Sequence, residues 1–144
     1  MYTVRDILRS KGTDIWSITP EATAYEALQI MSDKDVGALL VIDEGKLVGI
    51  FSERDYARKV ILRGRYSKET PVSELMTSEV SSIDPASTIK DCMALMTAKR
   101  IRHLPVMDHD RLIGIITTGD VVSQIISDQD LTIQQLERYI AKGY

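Results

Sequence analysis

The apolar positions of this chain change their period in a fixed order, and they do so twice. Ala24, Ala27, Leu28 and Met31 fall at i, i+3, i+4 and i+7, the buried face of an amphipathic helix over about 22–34. Residues 36–42 are then almost continuously apolar and predict a buried strand. Asp43-Glu44-Gly45-Lys46 is a turn, 47–51 predicts a second strand, and 53–63 predicts a helix that stops at Gly64. The second half predicts a helix over 88–98, a strand over 102–107, a turn, a further strand, and a helix over 118–126. Each half is preceded by a short helix (4–8, mirrored by 72–76) and a short strand (15–18, mirrored by 80–83). Thr3 with Asp6 three residues on reads as a helix start, Gly12 as its stop, and Thr70-Pro71 as the restart after a polar linker over 64–71.

Shifting the sequence by 65 lays 19–61 on 84–126 without a gap, with twelve of 43 pairs identical, among them Gly49/Gly114, Ile50/Ile115 and Asp55/Asp120. An ungapped register with a matching apolar pattern marks a duplication. The expected organisation is repeat 1 over 4–66, repeat 2 over 72–128 and a helical tail over 129–144, on which Ile133, Leu136 and Ile140 share a face. Each copy reads as β-α-β-β-α. A three-stranded sheet covered by helices on one face needs something on the other. The expected fold is therefore mixed α/β (α+β), with two β-α-β-β-α repeats packed sheet-to-sheet in pseudo-two-fold symmetry and two equivalent clefts.

Bulk properties narrow the function classes only a little. With 144 residues, 44% hydrophobic and 27% charged, the composition is that of a globular domain. A net charge of −3 lacks the basic footprint of a nucleic-acid binder. No apolar run is long enough to cross a membrane, and the N-terminus has no apolar signal region. A lone Cys92 on the buried helix face suits an inert core thiol and a reducing cytoplasm.

The candidate chemistry stands where strand meets helix. Leu47-Val48-Gly49-Ile50-Phe51 is followed by Ser52-Glu53-Arg54-Asp55, and Leu112 to Ile116 by Thr117-Thr118-Gly119-Asp120. Each turn aims free N–H groups, a hydroxyl and a carboxylate at one point. A helix N-terminus suits a phosphate, a carboxylate can accept both hydroxyl protons of a ribose, and Gly119 permits close approach. The same hydroxyl-x-x-acid spacing is also that of a capping box, so both roles stay open. The turn Asp108-His109-Asp110 gives only a weak metal signal. There is no G-x-x-x-x-G-K-[ST], G-x-G-x-x-G or H-E-x-x-H motif, and no serine or cysteine in a nucleophile motif.

The duplicated pattern of apolar strand and Gly-apolar-apolar-Ser/Thr-x-x-Asp resembles the tandem CBS-domain pair, or Bateman module, over about 4–126, especially the stand-alone bacterial members. The resemblance implies a non-catalytic regulatory module that binds adenosine-containing ligands (AMP, ADP, ATP, NAD(H) or S-adenosylmethionine). It carries the ribose-binding aspartate onto Asp55 and Asp120, and the phosphate-side hydroxyl onto Ser52 and Thr117. It carries phosphate-contacting basic residues onto Arg102 and His103, whose counterparts in the first copy are Gly37 and Ala38. The Asp120 cleft then has cations at Lys11 and Arg102, and the Asp55 cleft relies on Arg54, or on Arg102 and His103 reaching across. Adenine is expected on Ile15 and Trp16 at the Asp120 cleft, and on Val80 and Ser81 at the Asp55 cleft. A homodimer and an unidentified regulated protein are the implied partners, with Tyr56, Val60, Ile61, Val121, Val122 and Ile125 as candidate dimer contacts. A purely structural association module without ligand is the competing reading.

Overall fold

The computed structural model of the chain describes residues 2–141, with side chains as far as Arg138. The part of the expected tail over 142–144, and the side chain of Ile140, lie outside the described residues. Its elements are α1 (Val4–Lys11), β1 (Ser17–Ile18), α2 (Ala24–Lys34), β2 (Ala38–Asp43), β3 (Lys46–Ser52), α3 (Glu53–Tyr56), α4 (Ile89–Lys99), β4 (His103–Asp108), β5 (Arg111–Thr117) and α5 (Thr118–Ala141). The mixed α/β class and the duplicated order of elements are as the apolar pattern predicts.

The chain divides into two compact units, and they are not the two sequence repeats. One unit is Asp14–Ser81; the other joins the residues up to Thr13 to those from Ser82 onward. The leading helix of repeat 1 therefore folds with repeat 2. Val4 N–H donates to the Ser87 carbonyl (2.8 Å) and Arg5 N–H to Pro85 (3.0 Å). In the other unit, Val72 N–H donates to Ala22 (2.7 Å) and Ser73 N–H to Pro20 (2.9 Å), the same stitch in the same register. Side chains explain the fit. A Cβ on Gly114 would stand 2.7 Å from Leu8 Cδ2, and one on Gly49 2.5 Å from Met76 Sδ and 3.1 Å from the Thr77 carbonyl. Each strand glycine is the socket for the long side chain of a leading segment, a close approach that only an absent side chain allows.

Within Asp14–Ser81, β1 runs parallel to β2, and β2 antiparallel to β3, giving sheet order β1-β2-β3. Leu39, Val41 and Phe51 are wholly buried with Ala24, Ala27 and Met31 of α2, so the predicted helix face is the core face. α3 is one short α-helical stretch, followed by a π-helical turn over Ala57–Ile61. There Leu62 N–H reaches the Ala57 carbonyl (3.1 Å) and Arg65 N–H the Val60 carbonyl (3.0 Å). Val60 is buried completely while Ile61 and Leu62 are exposed. The leading segment here is only a 3-10 turn, Val72–Glu74, shorter than the helix expected over 72–76. Thr70 is buried, and its hydroxyl donates to the Tyr66 carbonyl (2.8 Å).

In the other unit the expected third strand reduces to a single bridge, Ile83 to Val106, beside the two-stranded sheet β4-β5. The reason is one residue. In the first sheet Leu40 N–H donates to the Trp16 carbonyl (3.2 Å). The residue equivalent to Leu40 is Pro105, which has no N–H to give. α4 packs Cys92 and Met96 onto Leu104, Val106 and Ile116, together with Val4, Ile7 and Leu8 of α1. The buried Cys92 thiol is pushed up to about 11, chiefly by desolvation, and stays protonated. α5 does not break near 126 as expected; it is one helix of 24 residues that takes in the tail. Val60 and Val121 are buried in their own units, which removes them as dimer contacts.

Candidate functional site

Both hydroxyl-x-x-Asp turns stand where the apolar pattern predicts, at the seam between a strand and the helix after it. In the first, Ser52 N–H and Oγ donate to Asp55 Oδ2 (3.0 and 3.1 Å), and Asp55 N–H donates to Ser52 Oγ (3.2 Å). In the second, Thr117 N–H donates to Asp120 Oδ2 (2.8 Å) and Asp120 N–H to Thr117 Oγ1 (3.1 Å). The capping geometry is thus present in both, and it holds each carboxylate in place. It does not bury either one: the Asp55 side chain is 14% exposed and that of Asp120 22%.

The first residues of β2 and β4, and the residue before each, close on these turns. Ala38 pairs with Ser52 and His103 with Thr117. Glu53 N–H donates to the Gly37 carbonyl and Thr118 N–H to that of Arg102 (both 3.0 Å). Arg102 and His103 therefore flank the Thr117 turn at the places where the Ser52 turn has Gly37 and Ala38. Burial lowers the His103 pKa below its ordinary value, Lys11 and Arg102 push the same way, and Asp120 opposes them. His103 feels three charges that meet at one place.

Lysines complete the contrast. Lys11, from the exchanged α1, donates to Asp120 Oδ2 (2.6 Å) and to the Ile115 carbonyl (2.9 Å). Asp55 is paired instead with Lys59, one helical turn on (3.1 Å), which also donates to the Leu75 carbonyl (2.9 Å). Lys59 was not among the sequence candidates, although its i, i+4 spacing from Asp55 is the signal that would have found it. A Cβ on Gly119 would meet only Thr117 Oγ1, at 3.6 Å, so the protein itself leaves room there.

Among the remaining sequence candidates, Ile15 and Trp16 fold into the Asp14–Ser81 unit and not the one that carries Asp120. Trp16 is partly exposed, with Lys34 Nζ 4.4 Å from its ring centroid. Val80 and Ser81 are half-buried at the end of that same unit. Arg54 lies in the first turn of α3 and is engaged in an interaction of its own. His109 is exposed and pairs with Asp108 (3.0 Å). Among the described residues no group of three or more His, Cys, Asp or Glu is arranged to hold a metal, and no helix is long and apolar enough to cross a membrane.

The CBS-domain family profile matches residues 4–62 and 72–127. The mitochondrial CBS domain-containing protein CBSX3 of Arabidopsis thaliana is 39% identical, over 99% of this chain and 73% of its own length. The CBS domain-containing protein YhcV of Bacillus subtilis is 34% identical, over 90% of this chain and 89% of its own. A solved CBS-domain protein from Burkholderia ambifaria is 47% identical and superposes with a TM-score of 0.87, covering 89% of this chain and 96% of that one.

Proposed function

This chain belongs to the CBS-domain family, a family of regulatory modules that often bind nucleotides, and from that footing we propose that it senses energy or redox state by binding an adenosine-containing nucleotide. AMP, ATP and NAD(H) are the principal candidates, with ADP and S-adenosylmethionine in the same class. The module is non-catalytic, acts in the cytoplasm, and passes the bound state to a partner protein.

The observation that carries this reading is the Asp120 carboxylate. It is held by its own cap, left partly open to solvent, and surrounded by Lys11, Arg102 and His103. A carboxylate among cations at a helix N-terminus offers a diol acceptor beside a phosphate receptor, the two polar ends of a nucleotide. Thr117 and Gly119 supply the hydroxyl and the backbone approach. The Asp55 turn, with Ser52 and Arg54 beside Gly37 and Ala38, is the second and weaker site. Ile15, Trp16, Val80 and Ser81 offer apolar and backbone surface for adenine.

Thermal unfolding with each nucleotide in turn tests the reading. A ligand at one hundred times its Kd stabilises the protein by about 2.7 kcal/mol. The expected result is a raised Tm with at least one of AMP, ATP, NAD(H) or S-adenosylmethionine. No shift with any of them would leave a structural association module in its place.

A further inference from the structure

The Asp120 carboxylate is not free to take a ribose diol as it stands. Its Oδ2 accepts from Thr117 N–H (2.8 Å) and from Lys11 Nζ (2.6 Å), which fills the roughly two acceptor places of one carboxylate oxygen. A diol gripped by both oxygens needs one of those places. The Thr117 bond belongs to the cap and is fixed by the backbone. The Lys11 bond is made by the end of a flexible stem, so it is the one that yields.

Moving Lys11 has a consequence for charge. Ammonium and carboxylate are both largely covered, at 28% and 22% side-chain exposure. Once off Asp120, Lys11 keeps the Ile115 carbonyl (2.9 Å), a neutral acceptor. His103 adds no charge of its own. Burial, Lys11 and Arg102 all hold its pKa below the ordinary value, so the ring is neutral at pH 7. The displaced ammonium therefore needs a new anion, and the incoming ligand has to bring it. A 5′-phosphate does so, next to the ribose whose diol takes the oxygen. An uncharged nucleoside brings none, and a sulfonium sets one more positive charge beside Lys11 and Arg102.

We propose that Lys11 is a transferable counter-ion that sets the ligand class of the Asp120 site, leaving the carboxylate to a ribose diol only when a 5′-phosphate is there to receive it. The site then takes AMP, ADP, ATP or NAD(H) and discriminates against adenosine and S-adenosylmethionine. This rests on the nucleotide-binding reading above and narrows it. Lys11, Arg102, His103 and Asp120 all lie in one compact unit. The Asp55 turn lacks the arrangement. Lys59 follows its aspartate in the same stretch of helix and pairs with Oδ1 (3.1 Å), and Gly37 and Ala38 stand in place of Arg102 and His103.

Titration calorimetry on the full chain tests the proposal, with AMP, ATP and NAD(H) as phosphorylated probes and adenosine and S-adenosylmethionine as the others. The variants are Lys11→Met and Arg9→Met. Arg9 is an exposed cation of the same helix, 3.9 Å from Asp6, so its loss removes equal charge without touching Asp120. Wild type and Arg9→Met are expected to bind the best phosphorylated probe at least about tenfold more tightly than adenosine or S-adenosylmethionine. In Lys11→Met that probe is expected to weaken by roughly tenfold or more, the loss of one charge-assisted bond. Adenosine is expected to tighten by up to about fivefold, because it no longer breaks an ion pair to enter. A lysine with a merely structural role would move both ligands the same way. Equal falls for both, no gain for adenosine, or S-adenosylmethionine bound by the wild type as tightly as the best nucleotide would overturn the proposal and leave nucleotide binding standing. A wild type that binds none of the five probes would overturn both.

Discussion

The Ser52 and Thr117 turns are the same device set in different surroundings. Strand, hydroxyl, carboxylate and the paired cap hydrogen bonds repeat within a few tenths of an ångström. What differs is the source of positive charge. Asp55 draws Lys59 from its own helix, one turn away. Asp120 draws Lys11 from 109 residues back, and stands beside Arg102 and His103 where the other copy has Gly37 and Ala38. The scaffold is duplicated, and different residues at equivalent positions, Gly37 against Arg102 and Ala38 against His103, give the two turns different charged surroundings.

The largest effect that would break this comparison is on the exchange itself. Leu8→Ala removes a buried side chain of α1 and is expected to cost about 2–5 kcal/mol. Hydrogen exchange should show the loss in β4 and β5, with β2 and β3 protected as before. Loss confined to β2 and β3 would mean that α1 belongs with its own repeat. Next come the two glycine sockets. Gly49→Ala is expected to destabilise by about 2 kcal/mol in urea unfolding, because its Cβ meets Met76 at 2.5 Å and the Thr77 backbone at 3.1 Å. Gly114→Ala is expected to cost about 1 kcal/mol, since it meets only the movable end of Leu8. Equal costs would show the sockets to be alike after all.

Smaller again is the lysine contrast. Lys11→Met should lower stability by up to about 1 kcal/mol, and Lys59→Met by about 0.3–0.5 kcal/mol, both ion pairs being partly solvated. The smallest effect is a pH dependence. The folded His103 has a pKa below its ordinary value, so the unfolded chain takes up the proton first as pH falls below about 6.5. Stability attached to the neutral ring is complete above that point and declines below it, through the folded pKa. His103→Gln should flatten that stretch of the stability curve; an unchanged slope would place His103 among ordinary exposed histidines.

Much of this molecule is legible in the order of its residues. The helix faces of Ala24–Met31, the buried strands and both capped carboxylates follow from local spacing and stand where spacing puts them. The exchange of α1 between repeats is not legible, because a short amphipathic helix carries no record of which sheet it covers. Even so, Gly49 and Gly114 mark where the covering side chains enter. Pro105 could have warned that the third strand of its sheet would fail, since the equivalent Leu40 needs an N–H there. The Lys11–Asp120 pair lies beyond any local rule. The unbroken run of α5 was hidden by its polar middle, Ser127-Asp128-Gln129-Asp130, which reads as a boundary and folds as helix.

The central claim is that the Asp120 turn is the stronger receptor for an adenosine nucleotide. Titration calorimetry of whichever nucleotide raises the Tm, on the wild type, Asp120→Ala and Asp55→Ala, tests it most directly. If Asp120 supplies about 2–4 kcal/mol, its loss should weaken the tighter site by roughly 30- to 1000-fold, while Asp55→Ala leaves that site within a few-fold of the wild type. Unchanged affinity in Asp120→Ala, or an equal loss in both variants, would contradict the account.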